Sequence, residues 1–311
     1  MRINRKRAAL TGALVAALVS AGAVAVPAQA AEGKTIKQTS DKVAVKKLPK
    51  TAKAKATSAG KAASSNRAAA ASSSTTVSLK PGDRILPDEY IQTANGALYM
   101  QPDGNLVLNH TAGAELWASG TYGNTGAYAE YQLDGNFVVY KQDVGNVKGA
   151  AVWSSGTWGN PNGRLDFQDD ANLVVYRQNG SAVWSTRTWE VTDTTLNGGE
   201  NFASGTWMAA TNSILAMDSR GYFAVFDRHE PRIRSAAGTY SPGAYARMQK
   251  DGNFVIYGKN GAEGKGGAIW HTESYGWPGA YLTYAQDSTL VLYAADGSRI
   301  GSFGSGDNEQ G

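Results

Sequence analysis

The sequence predicts an all-β protein built by tandem duplication, and three observations carry that expectation. First, residues 79–193 and 196–310 align on each other without a gap at a constant offset of 117. Leu79 falls on Leu196, Gly82 on Gly199, Gln132 on Gln249, Trp153 on Trp270 and Gly180 on Gly297. Second, each half holds three copies of a shorter unit, starting at Gln101, Gln132 and Gln168 and then at Asp218, Gln249 and Ala285, with spacings of 31 and 36 in both halves. Third, these units read as strands. Runs such as Asn136-Phe137-Val138-Val139-Tyr140 and Asn253-Phe254-Val255-Ile256-Tyr257 alternate β-branched and aromatic residues between Asp-Gly, Asn-Gly and Gly-Asn turns. No long stretch of this part carries a helical apolar period.

Taken from the N-terminus, residues 1–30 read as a secretory signal peptide. Arg2, Arg5, Lys6 and Arg7 precede an apolar stretch of small residues from Ala8 to Val26, and Ala28-Gln29-Ala30 supplies a small-x-small cleavage site. A membrane anchor would need about 20 more strongly apolar residues. The mature chain is therefore expected to start at Ala31 and to be secreted, extracellular or loosely associated with the cell wall.

Residues 31–76 are rich in Ala, Lys, Ser and Thr and contain no aromatic residue. Such a segment cannot bury enough apolar surface to offset its chain entropy, which predicts a disordered linker. Its net charge is +8 and that of the first thirty residues +4, so with +4 for the whole chain, residues 77–311 carry −8. The basic balance thus belongs to signal and linker. This argues against a basic nucleic-acid-binding domain and leaves the segment as a solvated linker or as a contact for an anionic cell envelope. The duplication then divides the rest into domains at 77–193 and 194–311. With no cysteine in the chain, these must be held by core burial, and thiolate nucleophiles, zinc–thiolate sites and disulfides are excluded.

A second apolar strand ending in Trp follows the units: Leu116-Trp117-Ala118, Val152-Trp153-Ser154, Val183-Trp184-Ser185 and Ile269-Trp270-His271. Three sheets around a pseudo-threefold axis, with these Trp residues inside, would close three equal units.

The chemistry lies at alternate positions of the unit. The pattern Q-x-D-x-N-x-V-x-Y is complete three times: Gln132, Asp134, Asn136, Val138 and Tyr140; Gln168, Asp170, Asn172, Val174 and Tyr176; Gln249, Asp251, Asn253, Val255 and Tyr257. A weaker set, Gln101, Asp103, Asn105 and Val107, ends on Asn109. A straight strand would spread five such groups over about 26 Å at roughly 3.3 Å per residue, too far for one hexose. The Asp-Gly or Asp-Ala step in the middle is a turn signal, and folding there would gather the groups into one polar patch. A carboxylate acceptor, two amides and a phenol hydroxyl suit the vicinal hydroxyls of a sugar, with Val against the ring's C–H face.

This signature resembles that of the bulb-type (monocot) mannose-binding lectins over about 79–310, and Leu116-Trp117-Ala118-Ser119-Gly120 is similar to the family's I-W-A-S-N segment. The resemblance implies tandem β-prism II domains, each of three four-stranded sheets with pseudo-threefold symmetry. It also implies that Gln, Asp, Asn and Tyr of the three complete sets hydrogen-bond mannose hydroxyls while Val packs on the ring. Several positions depart from the family. Asp218, Arg220, Tyr222, Ala224 and Phe226, and Ala285, Asp287, Thr289, Val291 and Tyr293, lack the full chemistry. Gly104 and Ala127 stand where plant members often carry a cysteine pair, and Gly301 stands where Trp184 predicts a Trp.

Other chemistry finds no support. His110, His229 and His271 have neither metal-ligand nor triad spacing, and Gly264-Lys265 lacks the rest of a phosphate loop. Asp169-Asp170 has no calcium-loop context. No catalytic residue, metal ligand or cofactor is expected. Trp158, Trp189, Trp207 and Trp277 are candidates for stacking on sugars or for framing the strands. The expected function is secreted, multivalent, non-enzymatic binding of mannose-containing or related glycans. The alternatives are a lectin-like bacteriocin or a wall-associated adhesion protein using the same sites.

Overall fold

The computed structural model describes residues 53–54, 76–145, 147–229, 233–237 and 240–303. The expected signal peptide and nearly all of the 31–76 linker lie outside these. Among the described residues there is no helix, and the strands form six sheets, three from each half. The first half pairs Glu89–Gln92, Gly96–Met100, Leu106–His110 and Glu115–Ala118 in one sheet. Its second sheet pairs Arg84–Ile85, Tyr128–Tyr131, Phe137–Tyr140 and Ala151–Ser154, and its third Val77–Leu79, Arg164–Phe167, Leu173–Tyr176 and Ala182–Ser185. The second half repeats this plan with sheets centred on Ser213–Met217 and Phe223–Asp227, on Tyr245–Met248 and Phe254–Ala262, and on Tyr281–Tyr284 and Leu290–Tyr293. The opening strand of each half pairs into its last sheet, with Leu79 opposite Leu165 and Leu196 opposite Leu282. That return stitches three similar units into one closed body.

One sheet has a fifth strand. Lys53–Ala54, inside the segment read as linker, pairs parallel with Glu89–Tyr90. An edge strand offers unpaired backbone groups that any adjacent extended segment can meet, so this short stretch departs from the expected disorder and from the expected four strands.

Alternation sorts side chains as the period-two pattern requires. Leu106, Leu108, Phe137, Val139, Leu173 and Val175 are all 0% exposed and fill the first core. Trp117, Trp153 and Trp184 pack edge to face at centroid distances of 5.2, 6.2 and 5.6 Å, closing its axis. In the second half Gly301 stands opposite Leu292, where Trp184 stands opposite Val175. Phe303 takes up part of that space, 5.9 Å from Trp270 and 6.0 Å from Phe254.

The sheet of Trp207–Ala209, Ser213–Met217 and Phe223–Asp227 is covered on both faces. Met208, Leu215, Met217, Phe223 and Val225 join the second core, whereas Trp207, Ile214, Ala216, Ala224 and Phe226 join the first. Both halves consequently belong to one compact unit. Of its two expected roles, stacking on sugars or framing the strands, Trp207 has the second: it is 0% exposed. It packs edge-on against His110 at 4.5 Å and donates its indole N–H to the Asp170 carbonyl oxygen at 3.0 Å. Ser219 seals the same seam, donating from its hydroxyl to Glu115 Oε1 at 2.8 Å.

Candidate functional site

Each complete motif folds back on itself at its Asp step. In the first, Gln132 N–H donates to the Asn136 carbonyl at 2.8 Å and Gly135 N–H to the Gln132 carbonyl at 3.0 Å. Asn136 N–H caps Asp134 Oδ1 at 3.0 Å, and Gln132 Nε2 donates to the Tyr140 hydroxyl at 2.6 Å. The Gln–Tyr bond recurs between Gln168 and Tyr176 at 2.9 Å and between Gln249 and Tyr257 at 2.6 Å. The Asp cap recurs on Asn172 at 2.9 Å and on Asn253 at 3.0 Å. Residues eight apart in sequence thus meet, which a straight strand would forbid.

The turn needs a left-handed residue. Gly135 has φ of 85°, and a Cβ there would lie 2.2 Å from the Asn160 carbonyl oxygen, so glycine is required on both counts. Ala171 occupies the same place in the second motif at φ of 64°, a conformation that costs an L-residue about 1–2 kcal/mol.

A brace that the motif itself does not announce holds the asparagine. Asn136 Oδ1 accepts from the Ser155 hydroxyl at 3.2 Å and from Thr157 N–H at 3.1 Å, and the Thr157 hydroxyl donates to the Gly135 carbonyl at 2.6 Å. Thr186 and Thr188 treat Asn172 in the same way, Thr272 and Ser274 treat Asn253, and Ser119 and Thr121 treat Asn105. The legible signal is W-x-[ST]-x-[ST] after each second strand, present at Trp117, Trp153, Trp184 and Trp270. The remaining two units carry Ala236 and Phe303 at its first hydroxyl position.

These bonds decide what each cluster can offer a ligand. Oδ1 of Asn is committed, which leaves the amide its two N–H donors; Oδ1 of Asp is committed, which leaves Oδ2 as a charged acceptor. The Tyr hydroxyl accepts from Gln and keeps its own proton to give. A charged acceptor beside amide and hydroxyl donors is a match for adjacent hydroxyl groups. Burial raises the pKa of the Asp170 carboxyl and of the Tyr257 hydroxyl.

The valines expected to meet the sugar ring lie low in the clusters. Val138, Val174 and Val255 are 2, 3 and 2% exposed, in line with their places on the strands between the Asn and the Tyr of each motif. A β-bulge faces the closing tyrosine in all three motifs, as at Ala151/Trp153 opposite Tyr140, a common device for re-aiming a side chain. The rims differ. Tyr140 is stacked on Tyr128 at 5.7 Å, with Lys148 Nζ 4.0 Å from its centroid. Tyr176 carries the Arg164 guanidinium at 4.5 Å, and Tyr257 stacks on Tyr245 at 5.7 Å.

The Gln101 set keeps the Asp103 cap and the brace but not the cluster. Asn109 stands where the complete sets have the Tyr that pairs with Gln; it is 5% exposed, and its Oδ1 is buried without a partner. In the fourth unit Asp218 is buried and ion-paired with Arg220, and its Ala224 and Phe226 face the first half. That unit has exchanged the site for the seam. In the sixth, Asp287 still caps Thr289 N–H at 2.9 Å, and Tyr293 still stacks on Tyr281 at 5.4 Å, without Gln or Asn. Among the described residues no group of three or more His, Cys, Asp or Glu could hold a metal ion.

No family model matches the chain, and no curated protein matches it. Solved structures do. A monomeric monocot mannose-binding lectin from Gastrodia elata is 29% identical, with 37% of this chain and 97% of that one covered at a TM-score of 0.32. The mannose-specific agglutinin from snowdrop bulbs (Galanthus nivalis), complexed with methyl-α-D-mannoside, is 29% identical over 36% of this chain and 95% of that one, TM-score 0.29. The fetuin-binding two-domain lectin from Scilla campanulata is 22% identical over 70% of this chain and 93% of that one, TM-score 0.29.

Proposed function

We propose that the chain is a secreted lectin of two tandem β-prism II domains that binds mannose or a related hexose at three sites, without catalysis. The sites are Gln132, Asp134, Asn136 and Tyr140; Gln168, Asp170, Asn172 and Tyr176; and Gln249, Asp251, Asn253 and Tyr257, each floored by Val138, Val174 or Val255. The signal-like segment 1–30 would direct export, and the basic segment 31–76 would rest on an anionic envelope. One observation carries the reading: the Gln–Tyr bond and the braced Asn occur together in three units, and the units that lose the motif's Gln and Asn also lose the brace. Core packing alone has no use for that joint loss.

A shallow single-sugar site binds at about millimolar strength, near −4 kcal/mol. Three sites on one unit raise the effective affinity for a multivalent surface. The full chain is therefore expected to bind a subset of immobilised glycans ending in mannose or a related hexose on an array. A uniform background across all glycans would sink the proposal.

A further inference from the structure

The second hydroxyl residue of each brace is followed by an aromatic residue with an exposed side chain. Tyr122, Trp158 and Tyr275 come directly after Thr121, Thr157 and Ser274 and are 74, 71 and 68% exposed. Trp189 holds the same place after Thr188 at 40%, where the chain passes into the second half. The two units without the brace have Thr239 and Gly306 there. Large apolar rings left in water at a repeated position, absent where the motif is absent, are not accounted for by packing.

The backbone holds these rings beside the clusters. Trp158 lies between Thr157, bonded to Asn136 Oδ1 and to the Gly135 carbonyl, and Asn160, whose N–H donates to the Asp134 carbonyl at 2.9 Å. Tyr275 lies between Ser274, whose hydroxyl donates to the Gly252 carbonyl at 2.7 Å, and Gly276, whose N–H donates to the Asp251 carbonyl at 3.0 Å. Each aromatic is one Cα step of about 3.8 Å from a residue that is itself bonded to the hairpin's Asp, Gly or Asn. No hydrogen bond or ring contact within the described residues engages either side chain.

We propose that Trp158 and Tyr275 are stacking platforms for the second pyranose of an oligosaccharide whose terminal sugar occupies the adjoining cluster. This rests on the lectin reading above. An aromatic face meets the apolar C–H face of a pyranose and needs no particular hydroxyl pattern. The clusters would then select the terminal sugar, and the platforms would select for chain length.

The test compares methyl-α-mannoside with a linear mannotriose by calorimetric or NMR titration of the full chain. Trp158→Ala with Tyr275→Ala is expected to lower mannotriose affinity about tenfold at the two adjoining clusters, leaving the Gln168 cluster and methyl-α-mannoside affinity unchanged, with Trp158→Tyr keeping most of the affinity. Unchanged mannotriose binding, or an equal loss for both ligands, would overturn the platforms while leaving the lectin reading in place. Absence of binding of either ligand to the unaltered chain would overturn both.

Discussion

Replacing Asp134, Asp170 and Asp251 together with asparagine is expected to abolish glycan binding and leave thermal unfolding nearly unchanged. The choice of asparagine follows from the two jobs of the carboxylate. Its Oδ1 caps the hairpin by accepting the N–H two residues on, a task that an amide oxygen performs equally well. Its Oδ2 is the charged acceptor, and asparagine puts an N–H donor there. A charge-assisted hydrogen bond contributes about 1.5–3 kcal/mol, roughly 10- to 150-fold at each site. From a starting affinity of about millimolar, losing that at all three sites leaves nothing for multivalency to amplify. Alanine is the poorer test, because it also removes the cap. Asp287 shows that the cap has its own structural use, since it persists in a unit with neither Gln nor Asn. Unfolding by circular dichroism and binding to a mannose-bearing surface measure the two effects separately.

Acid is expected to loosen the seam between the halves through His110. This ring is fully buried against Trp207, accepts Ala112 N–H at Nδ1 at 2.9 Å, and has no partner for Nε2. Burial, with a smaller push from Arg228, lowers its pKa from 6.5 to about 3. The folded protein therefore holds the neutral ring while the unfolded chain takes up a proton near pH 6.5. The contribution to stability is full above about pH 6.5, is lost progressively as the pH falls, and is gone near pH 3. Its size is on the order of 5 kcal/mol. His110→Gln, which keeps an acceptor but does not titrate, should be less stable at neutral pH, and its deficit should shrink steadily towards pH 3. Denaturant midpoints for both proteins at pH 7, 5 and 3.5 check this; a constant deficit would count against it.

The strands were legible because alternation is local. Phe137 and Val139 are placed inward by the pattern that places Asp134 and Asn136 elsewhere, and the Asp-Gly step announces the hairpin that joins Gln132 to Tyr140. What escaped the sequence depends on tertiary partners. The flanks of Trp207 (Met208-Ala209-Ala210) and of Trp158 (Gly159-Asn160-Pro161) separate a strand from a turn, but not that one is fully buried in a seam and the other 71% exposed. The partner that decides this is the Asp170 carbonyl, 37 residues away. That the fourth unit lacks the motif was visible in Arg220, Tyr222 and Phe226, but the burial of Ala224 and Phe226 against the first half was not. The brace was present in the sequence as W-x-[ST]-x-[ST]. It was missed because hydroxyl residues beyond a strand are common and their target, the Asn carboxamide, lies 14 to 21 positions earlier.

The most direct measurement is the stoichiometry of sugar binding by the full chain. Titration with methyl-α-mannoside, followed by NMR, should show saturable binding of three sugars per chain at about millimolar strength and none to the Asp134→Asn, Asp170→Asn, Asp251→Asn variant. Non-saturable binding to the unaltered chain, or equal binding by the folded variant, would contradict the assignment of these three clusters as the sites.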